Sequence, residues 1–334
     1  MIPTQTRTDG ISVLVFCYNS ASLIEHTLSC IARQQTARSW EIIVIDNNSK
    51  DNTIGIATIW LTKHSPVPWQ VVQELRQGLT FARESALRAA NHTHVLFVDD
   101  DNFLQGTDWL HTVLTLFDQH PNVGSIGGRS VGDTGETKLP VWWLRPYTFC
   151  VGTQRAEEGV FLPQKPADML WGACLALRTE AALRAWYSFP MLLTDRTGDL
   201  ATAGGDVELG CRLLLLGYQS YYCPRLVFTH FMYPKRLTDT YLLSAMRGGR
   251  VVYPVLLAYH ARMQSRPVRP IQHLGKAFLY YVVHTLYGWF SYLLPKHCAS
   301  YYTYFVQRVQ WKEWKALWLH YKKVKEHSHA LNAL

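Results

Sequence analysis

Four apolar runs punctuate the first hundred residues, and each one stops at polar side chains. Residues 11–16, ISVLVF, lead into Cys17-Tyr18-Asn19, and residues 41–46, EIIVID, lead into NNSKDN. A weaker run covers 70–74, and the strongest, HVLFVD at 94–99, opens onto two further aspartates. Between them, apolar positions recur at helical spacing over 20–34, 52–63 and 79–90, and again over 107–119. Strands alternating with helices at this spacing predict βαβ units on a parallel sheet. There is no internal repeat and no low-complexity segment. In such α/β sheets ligands bind beyond the carboxyl ends of the strands. Those ends carry Tyr18 and Asn19, Asp46-Asn47-Asn48-Ser49, and the triplet Asp99-Asp100-Asp101. Polar chemistry therefore gathers on one edge.

The triplet needs a physical reason, because carboxylates this close raise one another's pKa. Either the three face water on a turn, where Asp is at home, or a cation is held among them. Asp99 and Asp101 fall on one side of an extended chain end, since side chains alternate. Two common nucleotide binders drop out. No G-x-G-x-x-G follows the first strand, and no G-x-x-x-x-G-K-[ST] occurs anywhere. Phosphates here call for a metal in place of a glycine cradle.

Composition narrows the class further. With 334 residues, 48% hydrophobic and 17% charged, the chain can bury a large core and is not a disordered protein. The net charge of +8 is unevenly spread. From Lys235 onward there are 15 Lys+Arg against 3 Asp+Glu, whereas the first 234 residues hold 18 against 22. Seven cysteines lie scattered without a C-x-x-C pair, which predicts reduced thiols rather than a disulfide framework or zinc site. The polar start MIPTQTRTDG is not expected to be a secretory signal. The sequons at Asn47 and Asn91 are accordingly read as chance.

SVLVFCYNSASLIEHTLSCI, EIIVIDNNSKDNT, QGLTFARESAL, VLFVDDDN, WGACLALRTEA and GGDVELGCRLLLLGY occur in this order. Together they resemble the inverting family 2 glycosyltransferases, over about residues 11–245. The resemblance implies an α/β fold of the GT-A type, a Rossmann-like nucleotide-diphospho-sugar transferase domain. It implies transfer from a nucleotide-diphosphate sugar, UDP-sugar favoured, to a saccharide or lipid-linked saccharide hydroxyl in polysaccharide or glycoconjugate synthesis. On this resemblance Asp99 and Asp101 are the D-x-D pair that holds Mn²⁺ or Mg²⁺, ions suited to oxygen ligands. His230, at the end of RLVFTH, is a further candidate ligand, although a lone His is more often structural. Tyr18 and Asn19 would line the base pocket, Asp46 would accept from base or ribose, and Asp100 would belong to the nucleotide side. Asp46 also suits a turn and helix cap. Gly78 would allow close backbone approach, and Arg76 and Arg83 would contact base or phosphate, unless they are ordinary surface arginines. Trp171 and Gly172 would form the acceptor side of the sugar pocket. Trp142 and Trp143 would make an aromatic wall or an interface loop.

Inverting transfer needs a base for the acceptor hydroxyl. The family places it in a Glu-Asp pair at a helix start, and here Asp206 matches the Asp while Gly205 stands where Glu is usual. Glu208 is the alternative base and a candidate acceptor contact. Asp206 as a helix cap with Glu208 in the first turn is compatible with either assignment. The missing Glu also admits a catalytically degenerate nucleotide- or membrane-binding subunit. A sugar nucleotidyltransferase is the other rival, but the glycine- and arginine-rich loop expected after its first strand is lacking.

These motifs divide the chain into a catalytic domain, 1–240, and a basic, aromatic, helical tail, 241–334. Residues 277–294 are 18 residues without a charge, at the lower limit for a spanning helix and rich in interfacial tyrosine. Burial in a core or interface is the competing expectation there. Trp311, Trp314, Trp318 and Tyr321 recur at helical spacing, with Lys312, Lys315, Lys322, Lys323 and Lys325 on other faces. That pattern predicts a basic amphipathic helix on an anionic membrane, on the cytoplasmic side. No nucleic-acid module accompanies the charge. The oligomeric state is left open.

Overall fold

The computed structural model describes residues 5–137, 157–193, 195, 203–272, 275–276, 278–279, 282–283 and 311–334. Its centre is a nine-stranded sheet in which β3 (Trp69–Gln73), β2 (Ser39–Asp46), β1 (Thr8–Cys17), β4 (His92–Asp99), β8 (Leu175–Arg178), β6 (Val123–Asp133), β9 (Gln219–Phe231) and β5 (Asn102–Leu104) lie side by side in that order, with β7 (Gly159–Phe161) pairing on β9. The first four predicted strands form as β1, β2, β3 and β4, all parallel. The predicted helices form between and after them as α1 (Ile24–Ala32), α2 (Thr53–His64), α3 (Leu79–Ala89) and α4 (Trp109–Gln119).

Period-two alternation explains why this half stacks in three layers. Ile11, Val13 and Val15 of β1, with Ile42 and Val44 of β2, point into one cluster with α1, α2 and α4. Leu14 and Phe16, with Ile43 and Ile45, point the other way, onto Ala82, Ala86 and Leu87 of α3. Because both faces are covered, the strands read as continuous apolar runs. Each such aliphatic side chain, buried, contributes roughly 1.5–3 kcal/mol.

The other half departs from the all-parallel expectation. β5 (Asn102–Leu104), β7 (Gly159–Phe161) and β8 (Leu175–Arg178) each pair antiparallel with their neighbours. β6 (Val123–Asp133) and the long β9 (Gln219–Phe231) are parallel to each other. Three-residue strands such as β5 carry too few positions to announce a period, and their partners are remote in sequence, as Asn102 is from His230.

α5 (Thr179–Tyr187) and α6 (Gly205–Leu215) cover the α3 face of the sheet. Beyond them, α7 (Asp239–Val251), α8 (Tyr253–Met263), α9 (Trp311–Glu326) and α10 (Ser328–Ala333) supply the described part of the tail. A third cluster joins Met169, Leu192, Leu193 and Cys211 to Val255, Tyr259, Val324 and Leu331. Position 240 is therefore a change of composition, not a gap in packing. Among the described residues no helix is long and apolar enough to cross a membrane. The run 277–294 lies mostly outside the described residues, as do Trp142 and Trp143 and the side chains of Trp311 and Trp314. Five cysteines, at 17, 30, 174, 211 and 223, are buried and free.

Candidate active site

Register brings the strand ends together. Cys17 pairs with Asp46, and Phe16 with Asp99, so β1, β2 and β4 finish level with one another. The chain turns through Asp100 and Asp101 into β5, where Asn102 lies opposite His230 of β9. Ser20 Oγ donates to Asp100 Oδ2. Desolvation, and then the charges of Asp101 and Asp99, push the Asp100 carboxyl well above its usual range. Asp101, 2% exposed, accepts from Arg236 Nη1 at 2.7 Å and Asn102 Nδ2 at 2.9 Å. His230 Nε2 stands 3.6 Å from Asp101 Oδ1. Burial works against the Arg236 cation, but Asp101 foremost holds its pKa above the ordinary value.

The donor types fit a hard divalent cation: neighbouring carboxylates and one imidazole. Among the described residues no group of three or more His, Cys, Asp or Glu side chains is gathered to hold a metal ion. Arg236 is the cation that now sits on Asp101.

The ends of β1 and β2 are tied to each other and to α3. Asn19 has a left-handed φ of 53°. It accepts from Lys50 N at 2.8 Å, and its own N–H donates to Ser49 Oγ at 2.9 Å. Tyr18 is 49% exposed beside it. Asp46 is fully buried: Oδ2 accepts from Ser49 N at 3.1 Å, while Oδ1 has no partner. A buried acceptor without a donor is costly, which suits a site completed by a ligand. Gly78, at φ 133°, begins α3 and donates its N–H to Asn47 Oδ1 at 2.7 Å. Arg76 is half-exposed, paired with Glu74 at 2.7 Å and Glu84 at 3.3 Å. Its hydrogen bond takes the Glu74 carboxyl down to about 2.

Arg83 is neither exposed nor open to a phosphate in this arrangement. It is 3% exposed and donates from Nη1 to Asp195 Oδ2 at 2.7 Å, and its Nε is buried without a partner. Burial disfavours its charge, yet Asp195 first, then Asp206 and Asp99, hold its pKa above the ordinary value. Asp206, half-buried in the first turn of α6, accepts from Gly172 N at 2.6 Å and Val207 N at 2.9 Å. Trp171, partly buried, precedes that glycine. Glu208 takes a different place from the one expected of an alternative base or acceptor contact. It is 0% exposed and accepts from Leu192 N, Leu193 N, Arg212 Nη2 and Tyr259 Oη, at 2.7–3.0 Å. It holds the tail to α6.

Three residues that the sequence reading passed over belong to this region: Ser20, Asp195 and Arg236. Asp195 and Arg236 lie in the sequences LLTDRTGD and YPKRLTD, whose hydropathy carries no periodicity to mark which side chain turns inward.

Comparison with known proteins bears on this arrangement. The family model described as glycosyl transferase family 2 matches residues 12–182. The chondroitin synthase of Escherichia coli is 32% identical over 134 residues, which is 40% of this chain and 19% of that protein. The poly-β-1,6-N-acetyl-D-glucosamine synthase of Staphylococcus epidermidis is 27% identical over 123 residues, 36% of this chain and 29% of that one. The chain thus spans under a third of either curated relative. Among solved structures, S. aureus TarS 1–349 superposes with a TM-score of 0.54 at 17% identity, over 96% of this chain and 83% of that one. The mannosyltransferase PcManGT from Pyrobaculum calidifontis, in complex with GDP-Man and Mn²⁺, gives 0.52 at 18%, over 98% and 79%.

Proposed function

Because the chain belongs to glycosyl transferase family 2 and has its mixed α/β, Rossmann-like GT-A fold, we propose that it transfers a sugar from a nucleotide-diphosphate donor. The acceptor is a saccharide or lipid-linked saccharide hydroxyl, the configuration inverts, and a UDP-sugar is the favoured donor. One observation carries the reading. The buried guanidinium of Arg83 lies 5.8 Å from the Phe97 ring of β4, two residues before Asp99, and against Gly172, where a Cβ would collide with it and stand 3.1 Å from the Asp206 Cβ. The strand-end carboxylates and the first-turn carboxylate of α6 therefore share one site.

Asp206 is the base in this reading. Its two oxygens each accept a backbone N–H, which fixes the carboxylate while leaving lone pairs for an acceptor hydroxyl proton. Asp46, with Oδ1 buried and unpartnered, takes a donor from the base or ribose of the nucleotide. Asp99 and Asp101, with His230, would hold a divalent cation, and Asp100 would stand beside them on the nucleotide side. When bound, that ion neutralises charge on the leaving diphosphate as a Lewis acid. The Mn²⁺ and GDP-Man named for PcManGT support such a pairing. Calorimetric titration of UDP, GDP and dTDP, each with Mn²⁺ and with EDTA, tests the reading. One nucleotide should bind with metal and weaken at least tenfold with EDTA. Equal binding in EDTA, or unchanged binding to Asp101→Ala, defeats the metal assignment.

Attachment to the cytoplasmic face of a membrane is part of the same proposal. Lys315, Trp318, Leu319 and Lys322 are exposed on α9, and Ile271, Phe278, Leu279 and Val283 are also exposed. Tyr321, grouped by spacing with Trp318, instead packs inward at 6% exposure. Charge attracts such a surface to anionic lipid, and Trp and Leu retain it. Sedimentation with phosphatidylserine vesicles should capture the protein, and Trp318→Ser with Leu319→Ser should release most of it. Equal recovery with neutral vesicles, or no loss in the double variant, counts against this.

A further inference from the structure

Position 205 is a glycine for a reason that lies ten residues upstream. A Cβ built there would lie 2.5 Å from Asp195 Oδ2, about the separation of Cβ and carboxylate oxygen within one aspartate side chain. The Asp195 carboxylate thus fills the volume that an acidic side chain on residue 205 would reach. It is 4% exposed, and each of its oxygens has a task. Oδ1 accepts from Gly204 N at 3.0 Å and Gly205 N at 2.9 Å, so it caps the N-terminus of α6. Oδ2 accepts from Arg83 Nη1 at 2.7 Å. The Asp195 N–H in turn donates to Thr80 Oγ1 of α3 at 3.0 Å.

This carboxylate reaches Asp206 by two routes. The capped turn is the one that carries Asp206. The paired guanidinium also lies against Gly172, where a Cβ would collide with Arg83 Nη2 and stand 3.1 Å from the Asp206 Cβ. Gly172 then donates its N–H to Asp206 Oδ2. Arg83 without Asp195 would be a buried cation whose next carboxylate is Asp206. Asp206 would be drawn out of position as its ion-pair partner.

We propose that Asp195 is the positioning residue for Asp206, and that it supplies from a separate segment the carboxylate which position 205 lacks. The inference rests on the proposed transfer reaction and on Asp206 as its base. Gly205 is then no mark of a degenerate site. It is the small residue that lets the Asp195 carboxylate in.

The test moves the carboxylate. Asp195→Asn, Asp195→Ala, Gly205→Glu and the double variant Asp195→Ala/Gly205→Glu are compared with the unaltered chain for melting temperature, donor KM and kcat. Asp195→Asn keeps the shape and one acceptor oxygen. It should leave donor KM within about threefold while kcat falls roughly 10²-fold, as for a small misplacement of a reacting group. Gly205→Glu alone crowds two carboxylates and should lower both melting temperature and kcat. The double variant should recover kcat to within about tenfold of the unaltered chain and melt above either single variant. A double variant no better than the worse single one overturns the proposal, as does Asp195→Asn with unchanged kcat. If the unaltered chain turns over no donor with any acceptor tried, the transfer reading fails instead. The melting temperatures then decide this inference alone: recovery in the double variant supports it, and additive losses overturn it.

Discussion

Asp206 and Glu208 sit two residues apart on α6 in opposite surroundings. Asp206 is half-buried with two backbone donors, whereas Glu208 is sealed in with Arg212, Tyr259 and the 192–193 backbone. A proton acceptor must reach its substrate, and a buried ion pair must keep its partner. Asp206→Asn should therefore lose about 10²–10⁴-fold in transfer rate with melting temperature and nucleotide affinity nearly unchanged. Retained turnover would remove Asp206 from the reaction. Glu208→Ala should destabilise the protein by about 3–5 kcal/mol, since it strands the Arg212 cation. A urea midpoint equal to that of the unaltered chain would contradict that. Both residues were legible as candidates in GGDVELGCRL. Their difference was not, because Tyr259 and Leu192 approach Glu208 from elsewhere in the chain.

At the scale of elements, β1, β2 and β4 were legible because each contains a continuous apolar run closed by polar residues, a property that neighbouring residues alone reveal. The loop before α3 is a different kind of signal. Gly78 turns at φ 133°, a conformation that side chains with a Cβ rarely adopt, while its N–H holds Asn47. Gly78→Ala should cost about 1–3 kcal/mol of stability and weaken nucleotide binding, because Asn47 and Asp46 belong to the same strand end. The check is a urea titration beside a nucleotide titration. A loss of neither would mean the loop tolerates a Cβ and does not shape the pocket. The antiparallel strands β5, β7 and β8 escaped the sequence reading for a physical reason: at three or four residues they lack a period, and distant partners define them.

The whole molecule joins tail to catalytic half through one apolar cluster and through Lys323, which donates to Leu192 O at 2.9 Å. A chain ending at residue 240 should expose Met169, Leu192 and Leu193, and it should aggregate or melt well below the full chain. A monomeric fragment with the full chain's melting temperature would refute this. Acid should weaken the same whole. Burial foremost, with nearby cations, takes His94 and His320 down to about 4. Unfolded imidazoles protonate near 6.5, so this stability is complete above that pH and is lost as pH falls toward 4, by roughly 3 kcal/mol for each. The urea midpoint should drop from pH 7 to pH 4.5, and less so in His320→Gln; an equal drop in that variant would rule His320 out. By itself the sequence determined what neighbouring residues can settle: the strand–helix alternation, the acidic strand end, the basic tail and the ordered motifs of the family. Only the tertiary structure decided which charges meet. Arg83 found Asp195, Arg236 found Asp101, and Glu208 found the tail, because ion pairs form across distances in space that spacing along the chain does not encode.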